Sequence, residues 1–375
     1  MTDRTTTDRP EAGLRFTHQT LAQRVVFAPG SAADAVVDEV LELGAGRAML
    51  IASHREAALS TPVAEALRSA RVDVVLHEEV EMHVPIAVAD RARAVAEAAK
   101  VDVVLTVGGG STTGVGKAVV MAGSPTAGRP LISVPTTYAG SEATNVWGLT
   151  SPGPDGGVKR TGVDHRVLPT AIVYDATLLV SLPGELAVAS GLNALAHAVD
   201  SMWGPRTDPI DQALAQEGIR ALAAGLVTLH ADGSSLDGVE RTLYGAYLAA
   251  VSFASAGSGM HHKICHVLGG MFNLPHAQTH AIVLPHVLAF NAPNAPAAER
   301  RIADAFGSAT ATEGLHSLRT ELQAPTALKD FGMPHAGIDK AVDAIVAAIP
   351  KNNPTPIDAG SVAALVEAAW QGDSA

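Results

Sequence analysis

The sequence is poor in cysteine, in aromatic residues and in positive charge, and each shortage excludes a class of protein. The single cysteine, Cys265, permits no disulfide within the chain and no zinc site built on cysteines, as in a protein of the reducing cytoplasm. Aromatic residues make up only 4% of the 375 residues, so the core must consist of aliphatic side chains. The 26 Lys and Arg against 38 Asp and Glu give a net charge of −12, which disfavours binding to nucleic acid or anionic membranes.

Long hydrophobic runs are also missing. No apolar run approaches the ~20 residues of a membrane-spanning helix, and the first ten residues, MTDRTTTDRP, lack the apolar stretch of a signal peptide. With 47% hydrophobic and 17% charged residues, the composition is that of a globular protein. We therefore expect a soluble cytoplasmic protein with neither a membrane nor a nucleic-acid partner.

The pattern along the chain predicts two domains. Up to residue 182, short apolar runs such as VDVVLTV (101–107) alternate with helical patterns, which predicts a mostly parallel sheet covered by helices on both faces. From residue 183 to 375, long Ala- and Leu-rich helical stretches predict an all-α domain. We expect an α/β dinucleotide-binding domain at 1–182, a helical domain at 183–375, and an active site in the cleft between them.

A glycine-rich loop directly follows the apolar run VDVVLTV. Gly108, Gly109, Gly110 and Ser111 precede a predicted helix, and glycines at such a junction let backbone amides approach a phosphate. The loop follows roughly the fourth strand and lacks the G-x-G-x-x-G spacing, so it is not an ordinary Rossmann fingerprint. A tight turn that needs glycine for packing is the structural alternative.

A second polar loop follows the next predicted strand, LISVP. Its segment 135–142 (PTTYAGSE) offers the hydroxyls of Thr136, Thr137 and Ser141 to a ribose or pyrophosphate. Polar loops that follow adjacent parallel strands converge in space. We therefore assign both loops to one nucleotide site, although each alone could be an ordinary surface loop.

Six of the 15 histidines lie within residues 261–286. His262 and His266 are four residues apart and share one helix face, and Asn193 and His197 repeat that spacing on an earlier helix. Together with His276 they have the outline of a divalent-metal site. Asn193 stands where a carboxylate would be expected, and a neutral amide is a weak ligand.

These motifs together resemble the iron-containing alcohol dehydrogenase superfamily, which has the dehydroquinate synthase-like fold. They are GGGS (108–111), PTTYAGSEAT (135–144), GLNALAHAVD (191–200) and the long block 259–287. Within that superfamily the sequence is most similar to the maleylacetate reductases, whose loop reads PTTYAGSE and which carry Asn in place of the ligand Asp.

The resemblance implies an oxidoreductase that uses NADH or NADPH to reduce the C=C bond of maleylacetate to 3-oxoadipate, usually as a homodimer. It implies that Asn193, His197, His262 and His276 correspond to the metal ligands of metal-dependent members. Because residue 193 is Asn, we expect no metal, with the histidines stabilising the enolate instead. His197, His262, His266 and His276 are assigned as catalytic. The cofactor is assigned to Gly108, Gly109, Gly110, Ser111, Thr136, Thr137, Ser141 and Lys159, and the substrate to Tyr138, Asn193 and Lys263.

The substrate is a dicarboxylate, so it needs cationic or amide partners. The basic stretch KRTGVDHR (159–166) lies near the domain junction and Lys263 lies within the histidine block. The stretch could instead be a solvated surface loop, or its Lys159 could serve the cofactor ribose. The second predicted strand ends in Ser53-His54-Arg55, none of which is acidic, so we expect both NADH and NADPH to be accepted.

Two other functions fit parts of this pattern. A metal-dependent alcohol dehydrogenase of the same superfamily would act on a carbonyl group. Asn193 disfavours this function, because metal-dependent members have Asp at that position. A non-catalytic histidine-rich metal sensor would need neither nucleotide loop.

Overall fold

Six short apolar runs in the first half of the chain form one sheet in the structure, a computed structural model that describes residues 13–153 and 156–372. All pairings in this sheet are parallel, in the order β1-β8-β5-β4-β2-β3. The strands of the chain are Arg24–Phe27 (β1), Arg47–Ile51 (β2), Asp73–His77 (β3), Val103–Gly108 (β4), Leu131–Pro135 (β5), Val146–Gly153 (β6), Gly156–Val163 (β7) and Ala171–Tyr174 (β8).

Helices cover both faces of the sheet and then continue alone to the end of the described chain. They are Ala32–Glu42 (α1), Ala57–Ser69 (α2), Ile86–Ala99 (α3), Gly110–Val120 (α4), Gly184–Ser201 (α5), Pro209–Ala231 (α6), Leu236–Ala256 (α7), Met260–Phe272 (α8), His276–Asn291 (α9), Pro296–Phe306 (α10), Ala311–Glu321 (α11), Gly337–Ala348 (α12) and Ala359–Gln371 (α13). Within residues 184–372 the structure contains helices and turns but no strand. No helix in the described ranges is both long and apolar enough to cross a membrane.

The sheet is buried because its strands are apolar on both faces. Every residue of β4 and β5 is buried, as expected for the central strands of a parallel sheet. One core cluster joins the sheet to α1 and α2, and a second joins its other face to α3 and α4. The predicted fold class is confirmed: a parallel α/β sheet followed by a helical region. The domain boundary at residue 182 stays a prediction.

A two-stranded antiparallel hairpin, β6–β7, was not anticipated from the sequence. It pairs Val146 with Val163 and Thr150 with Lys159, and β7 packs against α8. Glycine is abundant in both strands and β6 also contains Pro152. Both residue types have low strand propensity, so the pattern did not indicate strands. The basic stretch 159–166 therefore begins inside a strand, with Lys159 turned toward the cavity described next.

Candidate active site

A cavity of about 320 Å³ lies where the carboxyl ends of β4 and β5 meet the helical region. Its walls come from the start of α4, the loop after β5, the β6–β7 hairpin, and helices α5, α8 and α9. Crevices at the carboxyl ends of parallel strands are common ligand sites in α/β proteins. We therefore take this cavity as the candidate active site.

The glycine loop forms the N-terminus of α4 on one wall of the cavity. Gly109 is the N-cap residue, and no side chain of the described residues caps this helix. The first N–H groups of α4 are therefore available to an anion, and Gly110 and Ser111 line the cavity. At Gly108, where φ is 156°, a Cβ atom would collide with the side chain of Thr112, so only glycine fits.

Lys117, on the same helix, joins the two polar loops and was missed by the sequence analysis. Its buried Nζ donates to the carbonyl oxygens of Ser141 (2.6 Å), Thr144 (2.8 Å) and Val146 (2.8 Å). It thereby fastens α4 to the loop after β5 and to the start of the hairpin. A lysine inside the otherwise apolar stretch GVGKAVV was the signal that could have found it.

The opposite wall is built from side chains of three helices. Asn193 and His197 come from α5, His262 and His266 from α8, and His276 is the first residue of α9. The rings of His197 and His262 are stacked with centroids 4.8 Å apart, and His262 and His266 lie 6.0 Å apart. The i, i+4 spacing read from the sequence thus places both pairs on faces that meet.

Asp200 holds this wall in place and is a second residue that the sequence analysis passed over. Its buried carboxylate accepts a hydrogen bond from Nδ1 of His262 (2.8 Å) and from the backbone N–H groups of Gly259 (2.9 Å) and His261 (3.3 Å). It therefore caps the N-terminus of α8 and fixes the orientation of the His262 ring. A carboxylate behind a histidine is the usual support of a metal-ligating imidazole.

Two polar atoms of this wall are buried and unpaired. Among the residues that the structure describes, neither Oδ1 of Asn193 nor Nε2 of His262 has a hydrogen-bond partner. Burial is costly for such atoms unless a ligand satisfies them. Both belong to residues that line the cavity, so these atoms are available to a bound cation or a substrate.

The histidines of the wall are neutral at physiological pH because burial disfavours their charged form. Burial lowers the pKa of His197 to about 4 and lowers the pKa values of His262, His266 and His276 well below the usual range. A neutral imidazole presents a lone pair, which is the form that binds a metal ion.

A second histidine pair packs behind this wall. Nε2 of His261 lies 2.9 Å from Nδ1 of His280, and the ring of His280 lies 4.3 Å from that of His276. Both residues are fully buried, beside the free Cys265. Two of the six clustered histidines thus support the cavity wall from behind.

His83 is a further cavity residue that the sequence analysis did not consider. Its Nε2 lies 3.1 Å from the carbonyl oxygen of Leu274, and its φ is 63°. The next residue, Val84, is β-branched and also has positive φ, at 49°. Such conformations cost of order 1–3 kcal/mol each and cluster at functional sites. No sequence signal marks this segment.

The structure brings most of the predicted site residues to this one cavity. Those that line it are Gly110, Ser111, Thr137, Ser141, Lys159, Asn193, His197, His262, His266 and His276. Their individual roles remain predictions. Gly108 and Gly109 adjoin the cavity through the loop that they form, while Thr136 is buried beside Gly108, whose carbonyl oxygen accepts its N–H.

The structure does not place Tyr138 and Lys263, the other two predicted substrate residues besides Asn193, among the residues that line the cavity. Tyr138 is buried in the apolar core shared with the helical region. Lys263 follows His262 by one position, and a rotation of roughly 100° per residue carries its side chain away from the face that His262 presents. Both residues adjoin cavity residues in the sequence, Thr137 and His262. The local backbone turns their side chains away from the cavity.

Two family profiles together cover nearly the whole described chain. Residues 22–176 match the profile described as "Iron-containing alcohol dehydrogenase", and residues 187–370 match "Fe-containing alcohol dehydrogenase family, C-terminal". The chain belongs to the iron-containing alcohol dehydrogenase family.

Known members of this family are similar along their full length. A maleylacetate reductase of Burkholderia cepacia is 41% identical over 95% of this chain and 98% of its own. The crystal structure of an iron-containing alcohol dehydrogenase from Corynebacterium glutamicum has 52% identity and a TM-score of 0.90, covering 97% of this chain and 99% of that one. The crystal structure of a maleylacetate reductase from Agrobacterium tumefaciens has 35% identity and a TM-score of 0.86, covering 96% and 99%.

Family membership corrects one prediction. The absence of a metal was expected because Asn193 replaces a carboxylate, yet the matched family is iron-containing, and membership implies a divalent metal alongside the nicotinamide cofactor. The residues present fit such an ion. The unpaired Oδ1 of Asn193, the unpaired and carboxylate-supported His262, and the neutral rings of His197 and His276 form a suitable donor set. The prediction of a metal-free site is therefore wrong, since an amide oxygen can also be a ligand.

Proposed function

We propose that this NAD(P)H-dependent oxidoreductase is a maleylacetate reductase. The observation that carries the proposal is the arrangement of one cavity: an uncapped helix N-terminus on one wall faces a wall of neutral histidines on the other. The first suits the pyrophosphate of a dinucleotide, and the second suits the ketone oxygen of a substrate. The curated relatives with the same name, at 41% identity over nearly the full length, support the choice of reaction.

The reaction adds a hydride and a proton across a conjugated double bond. Bound NAD(P)H would supply a hydride to the alkene carbon β to the ketone, and the electron pair of the double bond would then move to the ketone oxygen as an enolate. The enolate then takes a proton on its α carbon, which gives 3-oxoadipate and NAD(P)⁺. Catalysis therefore requires stabilisation of an oxyanion and a path for one proton.

The wall of histidines serves the oxyanion. A divalent ion held by Asn193, His197, His262 and His276 supplies Lewis-acid polarisation of the ketone oxygen when it is bound. Asp200 keeps the His262 ring in one orientation through the 2.8 Å hydrogen bond to its Nδ1. His266 lines the same cavity outside that ligand set, so we assign to its neutral ring a hydrogen bond to the substrate.

The substrate carboxylates require positive partners in a protein of net charge −12. Lys159 lines the cavity from β7, and the first turn of α9 presents its backbone N–H groups at Ala277 and Gln278. Burial lowers the pKa of Lys159 to about 8, so it is mostly protonated at neutral pH. We place one carboxylate at Lys159 and the other at the start of α9.

We further propose that NADH and NADPH are both accepted. In the structure the residues after β2 are a short turn, His54–Glu56, in which Arg55 is exposed and available to a 2′-phosphate. The same arginine also tolerates the free 2′-hydroxyl of NADH, so the turn does not exclude NADH.

A cytoplasmic homodimer is the expected form of the enzyme. The lone Cys265 is buried, which suits a reducing compartment. Strand β1 is an edge of the sheet, and Phe27 on it and Leu41 on the adjoining α1 are exposed apolar side chains. Light scattering of wild type and Phe27→Asp tests whether this edge pairs with a second copy.

The function is tested by following oxidation of NADH and of NADPH with freshly prepared maleylacetate, with 3-oxoadipate identified by mass spectrometry. A metal-dependent alcohol dehydrogenase is the second candidate, since the Corynebacterium glutamicum structure of that description is 52% identical. That candidate predicts NAD⁺ reduction with simple alcohols and no turnover of maleylacetate. A histidine-rich sensor would bind metal but would leave NADH fluorescence unchanged on titration.

A further inference from the structure

A second group of possible metal ligands lies at the N-terminus of α6, on the side of the helical region that meets the segment before β1. Nδ1 of His18 is 2.8 Å from Oδ2 of Asp208 and 3.7 Å from Oδ1 of Asp211. All three donor atoms lie within 4.8 Å of one another. None of these residues lines the active-site cavity.

Asp211 is the unusual member of this group. Its side chain is 0% exposed, and in the described part of the chain no donor completes a hydrogen bond to either of its carboxylate oxygens. Burial raises its pKa, and the nearby hydroxyl of Ser255 offsets that effect only in part. A buried carboxylate that accepts no hydrogen bond is costly to keep and points to a missing positive ligand.

The protein itself does not neutralise the pair of carboxylates with a strong base. Within residues 13–153 and 156–372, no lysine or arginine forms an ion pair with Asp208 or Asp211. Asp208 caps α6 with its other oxygen, Oδ1, which accepts from the N–H groups of Ile210 (2.8 Å) and Asp211 (3.0 Å). Its Oδ2 is therefore left to point toward His18 and Asp211.

We propose that His18, Asp208 and Asp211 bind a divalent first-row cation such as Zn²⁺ or Mn²⁺. Two carboxylate oxygens and one imidazole nitrogen are a donor set that these ions accept, whereas Ca²⁺ prefers six or more oxygens. Ligand atoms about 2.1 Å from a common ion lie roughly 3.0–3.4 Å apart. The distances of 2.8 and 3.7 Å lie on either side of that range, so small side-chain rotations complete the site.

The bound ion would act as a structural clip rather than in catalysis. His18 belongs to the extended segment that runs into β1, an edge strand of the sheet, while Asp208 and Asp211 belong to the helical region. Next to β1, Gln23 already ties the same segment to the carbonyl oxygens of Glu142 and Pro169. The ion would join the two halves of the molecule at the end of the segment away from the sheet.

The test uses the full-length protein stripped of metal and then loaded with ZnCl₂ or MnCl₂. The number of bound metal ions per chain is measured by inductively coupled plasma mass spectrometry after gel filtration. Hydrogen exchange is followed in the peptide that contains residues 16–23. The variants are Asp211→Asn, which removes one charge without changing shape, and His18→Gln, which alters only the partly buried segment. His335→Gln is the matched control, because His335 pairs with the single exposed carboxylate of Glu367 (3.0 Å).

Wild type is expected to show slower exchange of residues 16–23 when metal is added, by at least about tenfold. Asp211→Asn and His18→Gln should each lose one equivalent of metal and this protection, and His335→Gln should keep both. His262→Gln, which removes a donor at the active site, should keep the metal-dependent protection of the segment. The proposal is overturned if metal does not change exchange in wild type, or if His18→Gln retains every equivalent of metal.

Discussion

In the proposed metal site, Asn193 is the residue expected to set how firmly an ion is held. An amide oxygen carries no charge, so it offsets none of the charge of a divalent ion, and the three histidines of the set are neutral as well. The nearest buried anion, Asp200, bonds to His262 from behind the donor set. The site is therefore one that can coordinate an ion but has no charged ligand in direct contact with it.

The first prediction follows from this missing charge. Asn193→Asp should raise the affinity of the metal-stripped protein for Zn²⁺ by on the order of tenfold or more, because ligand charge tunes metal affinity. Competition with a coloured chelator measures it. Asn352→Asp adds the same charge at an exposed position and should leave the affinity unchanged. Equal affinities of wild type and Asn193→Asp would refute the ligand role of residue 193.

The second prediction concerns pH and Lys159. Because burial lowers its pKa to about 8, the ammonium is charged below that pH and loses its charge above it. The kcat/KM for maleylacetate should therefore fall as pH rises through about 8, while Lys159→Arg, which stays charged, should shift this fall to higher pH.

Lys159→Met should be slow at every pH, mainly through a higher KM for maleylacetate. Lys263→Met is the control, because Lys263 lies outside the cavity lining and should keep the wild-type profile. A normal KM for maleylacetate together with a raised KM for NADH in Lys159→Met would move this lysine from the substrate to the cofactor.

At the scale of elements, helix α4 organises one wall of the cavity. Its N-terminus supplies unpaired N–H groups, and two turns later Lys117 holds three carbonyl oxygens of the neighbouring loop and hairpin. The loop after β5 is thereby held beside the helix start, so Thr137 and Ser141 line the same cavity as Gly110 and Ser111. One helix thus fixes the position of both polar loops.

The third prediction tests that helix start. Gly110→Val should raise the KM for NADH by about tenfold or more, because a branched side chain blocks close approach of the backbone to a pyrophosphate. A Cβ at this position lies 3.2 Å from the Cβ of Ala139, so the loop needs to shift only slightly for the variant to fold. Titration of NADH fluorescence gives the dissociation constant directly.

Gly184→Val provides the matched comparison, since Gly184 is the first residue of α5 and its Cβ would meet no described atom within 4 Å. It should bind NADH as wild type does. If folded Gly110→Val also retains wild-type NADH affinity, the pyrophosphate does not bind at α4.

At the scale of the whole molecule, the largest apolar core crosses the predicted domain boundary. It contains Tyr138, Ile172 and Tyr174 from the α/β half, packed with residues of α5, α6 and α7. The hydroxyl of Tyr174 donates to the buried carboxylate of Glu142 (2.9 Å) within the same layer. The two halves therefore share a hydrophobic core.

The fourth prediction follows from that shared core. A fragment of residues 1–182 should fail to fold cooperatively, because the buried faces of Tyr138, Ile172 and Tyr174 would be open to water. Urea unfolding followed by circular dichroism tests this, with the full chain as the reference. A single cooperative transition of the fragment would instead support an independent domain that ends at residue 182.

The sequence alone was sufficient for the sheet, the succession of helices and the residue types of the site. Strand β4 is a continuous apolar run and the i, i+4 pairs at 193/197 and 262/266 recur on helices, so local periodicity carries this information. Full-length similarity to known motifs then indicated the chemistry. The sequence was misleading where one residue was interpreted by itself, because Asn193 was taken to exclude a metal.

Only the tertiary structure decided which of these residues act together. Tyr138 faces the core and Lys263 lies off the cavity, although both stand beside cavity residues in the chain. Asp200 and His83 reach the site by contacts between elements distant in sequence, and no local pattern marks such contacts. Periodicity determines the face of a helix or strand on which a side chain lies. Its partner depends on how the elements pack, and packing is a property of the whole chain.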